Sequence, residues 1–225
     1  MTKALFITGT DTDIGKTFVS CLLLKAFNAI GLKTFGIKPI ASGGERDDEG
    51  KIKNQDALNL QRHASVQKSY HIVNPILFEA PIAPNIAANE AGIQLNKSSV
   101  IKTILSSIQE EADLNLIEGV GGWSVPLNNT ELFSDVISEL RIPVILVVGI
   151  KLGCLNHALL TYQNILSKSV PFIGWFANCL NPETLLINEN IKTLQQCIKA
   201  PCLGVIPYNC QSLDDIDTQL IRKYL

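Results

Sequence analysis

Long apolar runs are missing from this 225-residue chain. The longest, Ile142 to Ile150, contains Pro143 and Gly149. It falls well short of the roughly 18–20 continuous apolar residues that a membrane-spanning helix requires. The amino terminus shows no secretory leader pattern, because Lys3 is followed only by Ala4 to Ile7 before a Gly-Thr-Asp-Thr segment. Runs of basic residues are also absent and the net charge is −2. Electrostatics therefore favours neither nucleic acid nor an anionic membrane as a partner. The six cysteines (Cys21, Cys154, Cys179, Cys197, Cys202 and Cys210) include no Cys-x-x-Cys pair, and the three histidines stand at no metal-ligand spacing. Free thiols and a cytoplasmic location are the expectation.

A chain of this length, 46% apolar, can bury a core without staples. No boundary demands a second unit, so residues 1–225 are read as a single domain. Short Val- and Ile-rich runs alternate with helix-like stretches. Strands are expected at Lys3–Thr8, Thr34–Lys38, Leu114–Ile117, Val144–Val148, Phe172–Ala177 and Leu203–Ile206. Helices are expected at Thr17–Ile30, Asp56–His63, Lys97–Ala112, Asn156–Ser167 and Thr184–Ile198. Ala41 to Gln55 and Asn74 to Asn96 read mostly as loop, the first for its glycines and charges, the second for Pro75, Pro81 and Pro84. Continuously apolar strands point to a three-layer α/β fold, with a mostly parallel sheet and helices on both faces. In such sheets, ligands bind at the strand C-termini.

The strongest signal is Gly9-Thr10-Asp11-Thr12-Asp13-Ile14-Gly15-Lys16-Thr17, placed between an expected strand and an expected helix. Backbone N–H groups of such a loop, with the helix N-terminus, can cradle phosphate oxygens. Lys16 can reach the terminal phosphates and the Thr17 hydroxyl can bind Mg²⁺. Counting back from Gly15, the usual first glycine position falls on Thr10. The loop is therefore either one residue longer or carries Thr in place of that glycine.

A nucleotide-bound Mg²⁺ needs one or two carboxylates besides the hydroxyl. Leu114 to Glu118 is an apolar strand ending in an acid, followed by Gly119, Gly121 and Gly122. Asp56 is a second candidate with a plain alternative as a helix cap, and Asp11, Asp13, Asp47 and Asp48 compete with it by composition. Lys38 and Ser42 could equally be a strand-end charge and a turn residue. Asn156 could cap the helix that it opens, and Trp123 and Trp175 read as packing residues.

Several segments together resemble one family. They are the phosphate loop, Ile37-Lys38-Pro39-Ile40-Ala41-Ser42-Gly43, Glu118-Gly119-Val120-Gly121-Gly122-Trp123, Pro143 through Ala158, Gly174-Trp175-Phe176-Ala177-Asn178, and Gly204-Val205-Ile206-Pro207-Tyr208. In order and spacing they are similar to the dethiobiotin synthetases, which share a phosphate-binding-loop NTPase-like fold. The resemblance implies conversion of 7,8-diaminononanoate, CO₂ (or bicarbonate) and ATP to dethiobiotin, ADP and phosphate, with Mg²⁺, in a homodimer whose substrate lies near the interface. Lys16, Lys38 and Thr12 would be catalytic. Ser42, Gly121 and the turn Gly153-Cys154-Leu155-Asn156 would contact the diamine, the turn being supplied by the partner subunit to hold the substrate carboxylate. Asp13, Ile14, Gly15, Lys16, Thr17, Phe18, Asp56, Glu118, Asn178, Pro207 and Tyr208 would contact nucleotide, with Asn178 reading the adenine. Thr17, Asp56 and Glu118 would hold the metal. Asp13 stands where relatives often have Glu, Val120 where Ala is usual, and 182–199 matches nothing that can be placed.

Two other classes compete. Partitioning and positioning ATPases, which are nucleotide-switched interaction proteins, share the loop but carry an extra lysine near its start, where this chain has Thr10. Many also carry a membrane-binding tail or basic face, whereas Asp214 to Leu225 begins acidic. A catalytically dead nucleotide-binding module is disfavoured by Lys16, Thr17 and Glu118.

Overall fold

The computed structural model describes residues 3–210 and positions 219 and 221. The acidic stretch expected from Asp214 onward lies, apart from those two positions, outside the described residues. In chain order the elements are β1 (Ala4–Gly9), α1 (Lys16–Ala29), β2 (Thr34–Ile37), β3 (Ile40–Ser42), β4 (Glu45–Arg46), β5 (Ile52–Lys53), α2 (Gln55–His63), α3 (Tyr70–Val73), β6 (Ile76–Phe78), α4 (Pro84–Glu90), α5 (Lys97–Ser107), β7 (Leu114–Glu118), α6 (Phe133–Leu140), β8 (Val144–Ile150), α7 (Cys154–Ser167), β9 (Phe172–Cys179), α8 (Ile187–Cys197) and β10 (Cys202–Ile206).

Six strands form one sheet in the order β10-β9-β8-β1-β7-β2. Every pairing in it is parallel. The period-2 pleat sends neighbouring side chains to opposite faces, and both faces here are apolar. Leu5 and Ile7 join a core that includes Val19, Leu23 and Phe27 of α1. Phe6 points the other way, into a core with Ile104, Val136, Ala158 and Leu194 from α5, α6, α7 and α8. Burial on both sides explains why these strands read as continuous rather than alternating apolar runs. Each such fully buried Leu, Ile or Phe contributes roughly 1.5–3 kcal/mol. Trp123 and Trp175 are both buried, as packing residues should be.

Several boundaries differ from expectation for local reasons. The first strand reaches Gly9, and α1 starts at Lys16 rather than Thr17, with Gly15 capping it in the left-handed region at φ 84°. The fifth helix stops at Ser107 rather than Ala112 because Ile108 turns to an extended conformation (φ −59°, ψ 133°). Helix α8 starts at Ile187, not Thr184, behind Leu186 in the left-handed region. The Asn74 to Asn96 stretch is not mostly loop: β6 pairs with β3 there, and Pro84 opens α4 at the N1/N2 position that proline favours. The short helices α3 and α6 are additional. Asp135 supports the start of α6 by accepting a 2.7 Å hydrogen bond from the Leu132 N–H.

Topology decides where the site lies. The first strand is flanked by β7 and β8, so the loop leaving it sits at the centre of the sheet's C-terminal edge. Lys38 follows β2, Glu118 ends β7, Asn178 lies near the end of β9 and Pro207 follows β10. All five strand ends open onto the same edge, the crevice in which open α/β sheets bind ligands.

Candidate active site

Residues 10–15 form the loop between β1 and α1. A Cβ on Gly9 would come within 2.7 Å of Ile14 Cδ1 and 3.0 Å of the Lys16 side chain. The close approach that demands glycine therefore falls on Gly9, and the loop is one residue longer than the common pattern. Asp13 also adopts a positive φ, 55°. Asn178 reaches across from β9 and donates its amide N–H to the Ile14 carbonyl at 2.9 Å, which pins the loop from the side. Gly15 makes that contact possible, since a Cβ there would lie 2.1 Å from Asn178 Nδ2. We expect Gly15→Ala to weaken ADP binding at least about tenfold, combining a backbone strain of order 1 kcal/mol with the clash. Isothermal titration calorimetry reads this directly, and affinity equal to that of the parent protein would show that the loop tolerates the change.

Lys16 is only 7% exposed, and its Nζ donates to the Asp11 carbonyl at 2.7 Å. Burial, together with the nearby Lys38 charge, lowers its pKa to about 8, with Glu118 and Asp56 opposing the shift. Asp11 in turn pairs with Lys151, beyond the end of β8, at 3.2 Å.

Lys38 is the hub of the site. Its ammonium is buried and donates to Glu118 Oε1 at 2.5 Å, Asp56 Oδ2 at 3.0 Å and the Gly119 carbonyl at 3.1 Å. Burial alone would lower its pKa, but Glu118 and Asp56 outweigh burial and raise it. Burial likewise works to raise the Asp56 pKa, and Lys38, the Thr17 hydroxyl and Lys16 together hold it below the usual carboxylate range. Thr17 Oγ1 donates to Glu118 Oε1 at 2.8 Å. Glu118 Oε2 is buried without a hydrogen-bond partner. Such an orphaned carboxylate oxygen is costly unless something binds it. With the Thr17 hydroxyl and the Asp56 carboxylate it forms an all-oxygen donor set suited to a hard divalent cation. Asp56 does not cap α2. That role belongs to Asn54, whose Oδ1 accepts from the Ala57 N–H at 3.3 Å.

Lys16, Thr17, Lys38 and Asp56 open on a cleft of about 940 Å³, whereas Glu118 is fully buried and outside its lining. The lining includes Thr12, Asp13, Gly15, Lys16, Thr17, Lys38, Ser42, Asn54, Asp56, Pro81 to Pro84, Gly121 and Ser124 to Pro126. The Ser42 hydroxyl is buried and unpartnered. Sequence reading missed Asn54 and the Pro81–Pro84 wall. An Asn ahead of a helical stretch was the one available signal for the former.

Other expected site residues lie apart from the cleft lining. Pro207 and Tyr208 are exposed and follow Ile206, which pairs in register with Asn178. They therefore share the loop's flank with Asn178. Ile14 is fully buried and Phe18 is 40% exposed. Gly153 (φ 91°) is itself the cap of α7, so Asn156 is not the cap but the exposed third residue of the helix. Cys154 turns its side chain into the core and Leu155 is partly buried. The turn 153–156 contributes nothing to the cleft of its own chain.

A parallel sheet whose central strand feeds a Gly-Lys-Thr loop into a helix, with an acid-ended strand alongside, defines a phosphate-binding-loop NTPase-like protein. Solved structures agree at the level of fold alone. The septum site-determining protein MinD from Pyrococcus horikoshii has a TM-score of 0.55 at 18% identity, over 92% of this chain and 82% of its own. The cell-division ATPase MinD from Pyrococcus furiosus has a TM-score of 0.54 at 14% identity, over 92% of this chain and 84% of its own. A family model described as an AAA domain matches residues 3–214. The chain is 48% identical to the ATP-dependent dethiobiotin synthetase BioD of Cellvibrio japonicus, over 91% of this chain and 89% of the relative. It is 44% identical to BioD 1 of Escherichia coli strain K12, over 97% and 96%. The chain belongs to the dethiobiotin synthetase family of ATP-dependent ligases.

Proposed function

We propose that the protein carboxylates 7,8-diaminononanoate with CO₂ and closes the ring with ATP, giving dethiobiotin, ADP and phosphate. The observation that carries this reading is the meeting of two elements in one cleft: a phosphate loop, and a buried lysine that no phosphate loop requires, Lys38, beside the unpartnered Ser42 hydroxyl. A neutral amine captures CO₂ as a carbamate. A carbamate oxygen then attacks the γ-phosphorus and ADP leaves. The second amine adds to the activated carbonyl carbon, phosphate leaves, and the amine protons pass to solvent.

Negative charge gathers on the transferring phosphoryl group, so fixed cations and N–H dipoles lower the barrier. Lys16, Lys38 and the loop N–H groups supply them. Thr12, Ser42 and Gly121 line the diamine and carbamate region. Thr17, Asp56 and Glu118 would hold Mg²⁺, which when bound neutralises phosphate charge. Asn178, Pro207 and Tyr208 flank the loop where the base would lie. The exposed N-terminus of α7 suits a carboxylate, and in a homodimer the partner's copy would supply it. A cytoplasmic location fits this chemistry.

The test is mass-spectrometric detection of dethiobiotin from diamine, bicarbonate, Mg²⁺ and ATP. Product in stoichiometric balance with ADP is expected. ATP hydrolysis that ignores the diamine and responds to DNA or lipid vesicles instead would overturn the reading in favour of an interaction ATPase.

A further inference from the structure

We infer that Tyr70 is a positioning residue for the metal and diamine side of the cleft, its hydroxyl bridging the segment that carries Ser42 and Asp56 to the strand end that carries Lys38. This rests on the role given to those three residues above. The Asn54 backbone N–H donates to Tyr70 Oη at 2.7 Å, and Tyr70 Oη donates to Asn74 Oδ1 at 2.9 Å. On one side, the Asn54 side chain caps α2, one turn of which holds Asp56, and its amide donates to the Ser42 carbonyl at 3.3 Å. On the other, Asn74 Nδ2 donates to the Lys38 carbonyl at 2.7 Å, while the Lys38 N–H donates to the Val73 carbonyl at 2.7 Å.

Asn54 and Asn74 are both buried and Tyr70 is partly buried, so loss of the hydroxyl leaves the Asn54 donor and the Asn74 acceptor without this partner. The phenol has one proton. Because it accepts from Asn54, it must donate to Asn74, and burial, which raises its pKa, keeps that proton in place. The residues it joins come from three separate elements, β3, α2 and the end of β2. The hydroxyl thus ties these elements together from behind, in addition to the direct Lys38–Asp56 and Asn54–Ser42 contacts. The atoms of the bridge belong to residues 38–74 and none to the phosphate loop, so it acts on one half of the site.

The experiment compares Tyr70→Phe with Ile72→Ala, which truncates a partly buried neighbour on the same helix and leaves the bridge intact. In Tyr70→Phe we expect kcat/KM for the diamine to fall at least about tenfold, since displacements of an ångström at reacting groups carry costs of that order. Mn²⁺ binding to the ADP complex weakens in the same variant, while ADP affinity in EDTA stays within about twofold of the parent. Ile72→Ala keeps all three values near those of the parent even where its Tm drops further. Asn74→Ser, which cuts the bridge at its other end, reproduces the Tyr70→Phe pattern. The inference is overturned if Tyr70→Phe matches the parent, or if all variants lose activity in proportion to Tm. Failure of the parent to make dethiobiotin would instead sink the reaction assigned above, and the Mn²⁺ and ADP measurements would still decide the bridge.

Discussion

Lys16→Ala lowers ATP turnover by about 10³-fold or more, the scale seen when a preorganised charge on the reacting group is removed, while the fold is retained. The second half of this expectation follows from the lysine's own energetics. Its pKa falls from 10.5 unfolded to about 8 folded, so the unfolded chain binds the extra proton between those values and stability from this group rises with pH across that window. At pH 7, below the window, the buried ammonium carries its full penalty. Removing it relieves that penalty and leaves the Asp11 carbonyl, its hydrogen-bond acceptor, in a half-exposed loop. A coupled assay for ADP, with circular dichroism and a thermal melt on the same sample, checks both halves. Normal turnover would refute the role of the loop, and an unfolded variant would refute the energetic argument.

Lys38→Met acts differently, because it breaks a buried ion pair instead of relieving a desolvated charge. Glu118 is fully buried and would lose the ammonium that now binds its Oε1. Removing one partner of such a pair costs about 3 kcal/mol, which in a domain of this size lowers Tm by roughly 6–12 °C. The two carboxylates that hold the Lys38 ammonium, Glu118 through Oε1 and Asp56 through Oδ2, are the ones a divalent cation would need. Millimolar Mn²⁺ should therefore raise the Tm of Lys38→Met more than that of the parent protein, where the ammonium already neutralises both carboxylates. Synthetic turnover falls further than ATP affinity if Lys38 serves the carbamate, as proposed above. A scanning-calorimetry series with and without Mn²⁺ reads the first effect. Equal shifts in both proteins would show that lysine and metal do not share ligands, and unchanged synthesis would remove Lys38 from the reaction.

What could be read from the residues alone follows the range of the forces involved. The phosphate loop, the apolar strands and the acid at Glu118 are encoded within a few neighbouring positions, by glycine placement and by burial on both sheet faces. Helix α6 escaped notice although Phe133, Val136 and Ile137 stand at helical spacing, because eight residues are too short a window for periodicity to speak. The β6 and α4 segments were hidden by prolines that in fact sit at tolerated positions, with Pro84 starting a helix rather than stopping one. Lys38 looked like an ordinary strand-end charge. Its partner Glu118 is 80 positions away, and only the adjacency of β2 and β7 brings the two together. The Asn54–Tyr70–Asn74 bridge was illegible for the same reason: three polar residues with no local motif become a network only when α2, α3 and the end of β2 are packed. The resemblance to the synthetases supplied roles for residues that spacing alone left open, and it could not supply this geometry.

The most direct test of the account is a crystal structure with a non-hydrolysable ATP analogue, Mg²⁺ and the diamine. The β- and γ-phosphates should lie within the 9–17 loop against Lys16, the metal should touch Thr17, Asp56 and Glu118, and the diamine should face Lys38 and Ser42. An analogue bound elsewhere, with the loop empty and Lys38 still locked between Glu118 and Asp56, would contradict it.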